Sequence, residues 1–120
     1  MYINLLLVGI GGAAGSILRY LCHRYLNYSF PYGTLFVNIF GCLLIGILWG
    51  LFTHHIDERK RLLLVTGFCG GFTTFSTFAY EGVDMMMQKR WVIFSIYTGI
   101  SVIAGLLATY LGYKLTSTFQ

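Results

Sequence analysis

Charged residues divide the chain into four long uncharged runs, 2–18, 25–53, 62–80 and 91–113, of 17, 29, 19 and 23 residues with His counted as neutral. A helix needs about 20 predominantly apolar residues to cross a bilayer. The second run is too long for one span, and Asn27-Tyr28-Ser29-Phe30-Pro31-Tyr32 reads as its loop, leaving a helix from about Gly33 to Thr53. The pattern predicts an all-α membrane protein, a single domain of four transmembrane helices over about 2–20, 33–53, 62–80 and 91–113. No basic leader precedes the first run and no small-residue cleavage site follows it, so it reads as a retained helix rather than a signal peptide.

Composition agrees with this class. The chain is 57% hydrophobic and 10% charged, with a mean hydropathy of +0.72, where soluble domains carry about 25% charged residues. No nucleophile–base pair or metal-ligand cluster is present, which argues against an enzyme, and His54 and His55 are adjacent loop residues that would not share a helix face. Cys22, Cys42 and Cys69 lack metal or redox spacing and read as small apolar residues. The lipid bilayer is the expected surrounding; no nucleic acid partner is expected.

Glycines recur at helix-packing spacing: Gly11 and Gly15, Gly46 and Gly50, Gly67 and Gly71. Such small-xxx-small pairs let helix backbones approach closely. The stretch Gly9-x-Gly11-x-x-Ala14 mimics a dinucleotide fingerprint, but that motif needs a preceding strand, so packing is the better reading. Four short helices enclose little space, which favours an oligomer with pathways along its subunit interface. The positive charges are evenly split. With four spans, Arg59, Lys60, Arg61 and Lys114 (3 + 1 = 4) lie on one side and Arg19, Arg24, Lys89 and Arg90 (also 4) on the other. Because Lys and Arg normally collect in cytoplasmic segments, the zero bias fits either a weak orientation signal or dual topology with both orientations paired.

Polar residues within the spans are the candidates for function, since hydrocarbon penalises them. No acid or lysine falls at mid-span. Arg19 ends the first span, where it either snorkels to the interface or faces a water-filled vestibule. Thr34 and Asn38 share one face of the second helix, and Tyr97 and Ser101 one face of the fourth. Asn38 is the strongest of these, because its amide has two donors and an acceptor to satisfy.

The third span is the least ordinary, reading GFCGGFTTFSTFAYE over 67–81. Gly70-Gly71 followed by Thr73-Thr74 is poor helix. A break there would free carbonyls of the kind that hold cations in interrupted transport helices, and it is tolerated only in a polar cavity or inside protein. Phe75 and Phe78 face one side with Ser76 and Thr77 between them. An aromatic ring has a positive edge, so these rings can line an anion path without a full charge that would trap the ion.

The blocks GGAAGSILRY (11–20), GTLFVNIFGCLLIG (33–46) and GFCGGFTTFSTFAYEG (67–82) resemble the Fluc (CrcB) family of bacterial fluoride channels. The resemblance covers nearly the whole chain, and the last block is highly specific. It implies a passive fluoride exporter of the bacterial inner membrane, built as an antiparallel, dual-topology homodimer with two pores and a structural sodium ion at the dimer centre. It places sodium contacts on the backbone carbonyls of Gly70 and Thr73 at the break of the third helix. It makes Phe75 and Phe78 the pore phenylalanines, Asn38 the pore amide, Arg19 the vestibule arginine, and Tyr97 and Ser101 a polar track. The next position of that track is Gly105 here, which implies a shorter track than in some relatives. Glu81 takes a supporting role. Fluoride holds its water tightly, and a pore that dehydrates it needs many weak donors rather than one strong trap.

Two other classes set the comparison. A proton-coupled exporter of the small multidrug-resistance kind also has four helices, but needs an embedded carboxylate; residues 2–18 have none, and Glu81 falls at a helix end. A non-transporting envelope scaffold would not need polar faces on the second and fourth helices.

Overall fold

A computed structural model describes residues 1–53 and 57–118; the His54–His55 pair lies outside them. Among the described residues the chain is helical, with no strand. Helix α1 runs over Tyr2–Leu26 and α2 over Tyr32–Leu51. The short α3 (Glu58–Arg61) continues through a π-helical stretch, Leu62–Cys69, into α4 (Gly70–Phe72). Helices α5 (Phe75–Met87) and α6 (Trp91–Ser117) complete the fold. Four segments are long and apolar enough to cross a membrane: Tyr2–Leu26, Tyr32–Leu51, Glu58–Met87 and Trp91–Ser117. At 1.5 Å per residue, the 25 residues of α1 reach about 37 Å, more than a hydrocarbon core of about 30 Å.

The helices outrun the uncharged runs. The first passes Arg19 to Leu26 and the third segment passes Glu81 to Met87, because long charged side chains at helix ends reach polar surroundings without ending the helix. Asn27 organises the first loop. Its Oδ1 accepts from the backbone N–H of Gly33 (2.6 Å) and Thr34 (3.2 Å), satisfying donors that open α2 beyond buried Pro31.

Two glycine-lined seams hold the bundle. Helix α1 lies on the π-helical stretch and α4, where a Cβ on Gly11 would strike the Leu63 carbonyl and one on Gly15 the Phe68 carbonyl. Helix α2 packs on α6, where Gly46 abuts the backbone of Thr109 and Gly112 that of Leu43 and Ile47. Across the second seam, Thr109 Oγ1 donates to the Cys42 carbonyl (3.1 Å) and Thr116 Oγ1 to that of Ile47 (3.0 Å). The interior is small: the buried apolar residues are Val37, Leu48, Cys69, Phe72, Met85 and Tyr97. Large apolar side chains such as Leu5, Ile103 and Leu106 point outward, as a lipid-facing surface allows.

The α5–α6 turn closes with Lys89 N–H donating to the Met86 carbonyl (3.0 Å) and Arg90 N–H to that of Met85 (2.9 Å). This places Lys89 at φ 59°, the left-handed position that glycine usually fills at a helix end. The non-glycine penalty of about 1–2 kcal/mol exceeds the extra chain entropy glycine loses on folding, about 0.5–1 kcal/mol. Lys89→Gly should therefore raise the thermal unfolding midpoint in detergent; an unchanged or lower midpoint would show that this turn stores no strain.

Candidate functional site

The helix that crosses third stops at Phe72 and resumes at Phe75. Between them Thr73 (φ −85°, ψ 157°) and Thr74 (φ −150°, ψ 116°) are extended. Gly70 and Gly71 remain helical, so the non-helical backbone falls on the β-branched pair rather than on the glycines. Several backbone groups loosened there meet specific partners. Thr74 N–H donates to Asn38 Oδ1 (2.8 Å), and Asn38 Nδ2 donates back to the Thr74 carbonyl (3.0 Å). Thr73 donates twice to the Cys69 carbonyl, through N–H (3.0 Å) and Oγ1 (2.9 Å). Thr74 Oγ1 caps α5 by accepting from Thr77 N–H (3.1 Å), and Ser76 Oγ lies 3.3 Å from that hydroxyl. Arg19 Nε donates to the Gly71 carbonyl (2.9 Å). Its guanidinium thus sits against the interruption.

These bonds leave the Gly70 carbonyl without its ordinary helical donor, because the Thr74 amide that would close on it is turned to Asn38. Gly70 itself is exposed, and a Cβ there would meet only the Val65 carbonyl, at 3.9 Å. Among the described residues, no cluster of three or more His, Cys, Asp or Glu could hold a metal. Oxygens at this point come from backbone carbonyls and from the hydroxyls of Thr73 and Thr74.

A cavity of about 420 Å³ opens beside the interruption, with Asn38, Gly70, Thr73, Phe75, Phe78 and Ser101 in its wall. The Phe75 ring is 79% exposed, with its centroid 5.8 Å from Phe78; Phe78 in turn packs 5.2 Å from Tyr97. Tyr97 is completely buried, and the hydroxyls of Tyr97, Thr98 and Ser101 are buried without a partner in the chain. Three such hydroxyls along α6 are costly unless something else engages them.

A second cavity, about 300 Å³, lies at the end of the bundle where α1, α5 and the first loop meet; Tyr28, Thr77, Tyr80, Glu81, Asp84 and Arg90 border it. Thr34, fully buried, donates to Glu81 Oε1 at 2.5 Å, while Glu81 Oε2 has no partner in the chain. Six of the residues singled out from sequence, Asn38, Gly70, Thr73, Phe75, Phe78 and Ser101, therefore share one cavity wall. Thr77 and Glu81 border the other, and Arg19 stands apart on the α1 side of the interruption. Sequence reasoning missed Thr74, although a Thr three residues before Thr77 at a helix start is a capping signal. It also missed His23, whose Nε2 lies 3.3 Å from Thr34 Oγ1 and which no local pattern marked.

Among the described residues, four apolar crossing segments, one of them interrupted at Thr73 and Thr74, define a multi-pass membrane protein. The profile described as CrcB-like protein, Camphor Resistance (CrcB), matches residues 6–113, and the chain belongs to this family. It is 47% identical over 116 residues to "Fluoride-specific ion channel FluC 2" of Rhodococcus jostii (strain RHA1), spanning 95% of this chain and 99% of that protein. "Fluoride-specific ion channel FluC" of Phocaeicola vulgatus is 44% identical over 114 residues, spanning 91% and 94%. The protein of that name from Leptospira interrogans (strain Fiocruz L1-130) is 40% identical over 122 residues, spanning 97% and 96%. Four crossing helices and these bacterial relatives make the chain a multi-pass bacterial membrane protein.

Proposed function

We propose that the chain conducts fluoride passively, as an antiparallel, dual-topology homodimer. The observation that carries this reading is the set of buried, partnerless hydroxyls on Tyr97, Thr98 and Ser101 of α6, where Tyr97 packs on Phe78 and Ser101 shares a cavity wall with Phe75 and Phe78. Weak donors and ring edges can take over fluoride hydration piecemeal, and none binds hard enough to stop the ion. The names of the relatives point to the same ion and do not favour a proton-coupled exporter. The exposed Phe75 ring and the open wall of the larger cavity are surfaces that a second copy would complete.

A structural sodium ion fits the residues present. Sodium is a hard cation that prefers oxygen, and the Gly70 and Thr73 carbonyls supply it without charged ligands. Two copies meeting at the interruption would present these carbonyls twice. The ion's contribution there is to hold the two interruptions together.

Fluoride efflux from liposomes carrying the purified protein tests the reading. Loaded vesicles should empty under the fluoride gradient alone, with chloride retained; strict dependence on a proton gradient would reject it. Phe75→Ile and Phe78→Ile keep apolar bulk but lose the ring edge, so each should slow fluoride flux about tenfold while the dimer persists. Unchanged flux in both variants would return these rings to a packing role.

A further inference from the structure

We infer that His23 is a positioning residue for the anion path: it fixes the Thr34–Glu81 pair at the mouth of that path and makes conduction depend on pH. This rests on the fluoride-conducting reading above. Thr34 Oγ1 lies 2.5 Å from Glu81 Oε1 and 3.3 Å from His23 Nε2. A hydroxyl has one hydrogen, and the short contact commits it to Glu81. The Thr34 oxygen must then accept from His23, which requires the Nε2–H tautomer. Thr34 is fully buried, so its geometry is set by side chains and not by water: His23, Glu81 and the neighbouring Tyr97 phenol. The imidazole orients the hydroxyl, and the hydroxyl orients the carboxyl group at the wall of the smaller cavity.

Asp84 of α5 and Arg90 of the α5–α6 turn border the same cavity as Glu81. Arg19 lies one turn back from His23 on the same helix. Helix α5 contributes Glu81, α6 contributes Tyr97 within electrostatic reach of Glu81, and α2 contributes only uncharged Thr34. With neutral His23 and ionised Glu81, the relay carries one negative charge that an entering anion must pass. One added proton held on His23 as imidazolium cancels it and removes repulsion from the route.

Fluoride efflux from proteoliposomes between about pH 8 and about pH 5.5 tests this. Flux through protein-free vesicles is subtracted to remove diffusion of hydrogen fluoride. Wild-type flux should rise about tenfold as the pH falls, the effect of one charge near the path. His23→Gln keeps an N–H donor of similar reach but takes up no proton. It should hold the neutral-pH flux and lose the acid rise. His23→Leu removes the donor and should lower flux about fivefold at every pH. A flat wild-type profile, or a His23→Gln variant that keeps the wild-type profile, overturns the inference. No fluoride flux at any pH would instead overturn the conducting reading itself. Imidazole 15N shifts of the protein in detergent, assigned by comparison with His23→Gln, give a readout independent of flux. The Nε2–H tautomer is expected at neutral pH, and Nδ1–H would break the relay.

Discussion

Asn38→Leu should nearly abolish fluoride flux, lowering it at least about 100-fold, and should also destabilise the fold. The Asn38 amide satisfies both the N–H and the carbonyl of Thr74, at 2.8 and 3.0 Å. Leucine has similar volume and offers neither bond. Two backbone groups would be stranded at membrane depth, each at a cost of about 1–3 kcal/mol, and about 2.7 kcal/mol already corresponds to 100-fold. Asn38→Asp separates the two bonds. It can still accept from Thr74 N–H but sets a carboxylate oxygen against the Thr74 carbonyl, so flux should fall as far while folding suffers less. Efflux assays and thermal unfolding in detergent together read both effects. Wild-type flux in Asn38→Leu would show that the path does not pass the interruption.

Several lysines added within residues 54–61 should force one orientation and abolish activity. The basis is the even split of Lys and Arg, four on each side, because a surplus on one side decides orientation. Co-expression with a variant biased the opposite way should restore flux, since each supplies the partner the other lacks. Full activity of the one-way variant alone would mean that antiparallel pairing is not needed.

The crossing segments were legible because charge-free runs of bilayer length leave little choice. Their ends were not: α1 continues past Arg19 to Leu26 and the third segment past Glu81 to Met87, since one charge near a helix end does not stop it. The glycine pairs read correctly as close-packing positions, and Gly11, Gly15 and Gly46 lie against neighbouring backbone. Propensity marked Gly70-Gly71 and Thr73-Thr74 together as weak helix, and the extended residues are the second pair, because a side chain on α2 competes for the Thr74 amide. A partner 36 residues away leaves no mark in the local sequence. The same holds for His23, whose meaning comes only from Thr34 and Glu81 arriving beside it. Arg19 drew attention as an interfacial charge, and its bond to the Gly71 carbonyl became visible only with α1 laid on α4.

The two extended residues also divide one electrical object into two. An unbroken helix carries its partial charges only at its ends, about half a unit of each sign, with the middle neutral. Stopping at Phe72 and restarting at Phe75 puts a negative helix terminus and a positive one within a few residues of each other in the bilayer interior, where little water screens them. The carbonyl side favours a cation, which is where Arg19 bonds and where sodium is proposed. The amide side, opening at Phe75 and Ser76, favours an anion. A single interruption thus gives one uncharged stretch of chain opposite preferences on its two faces.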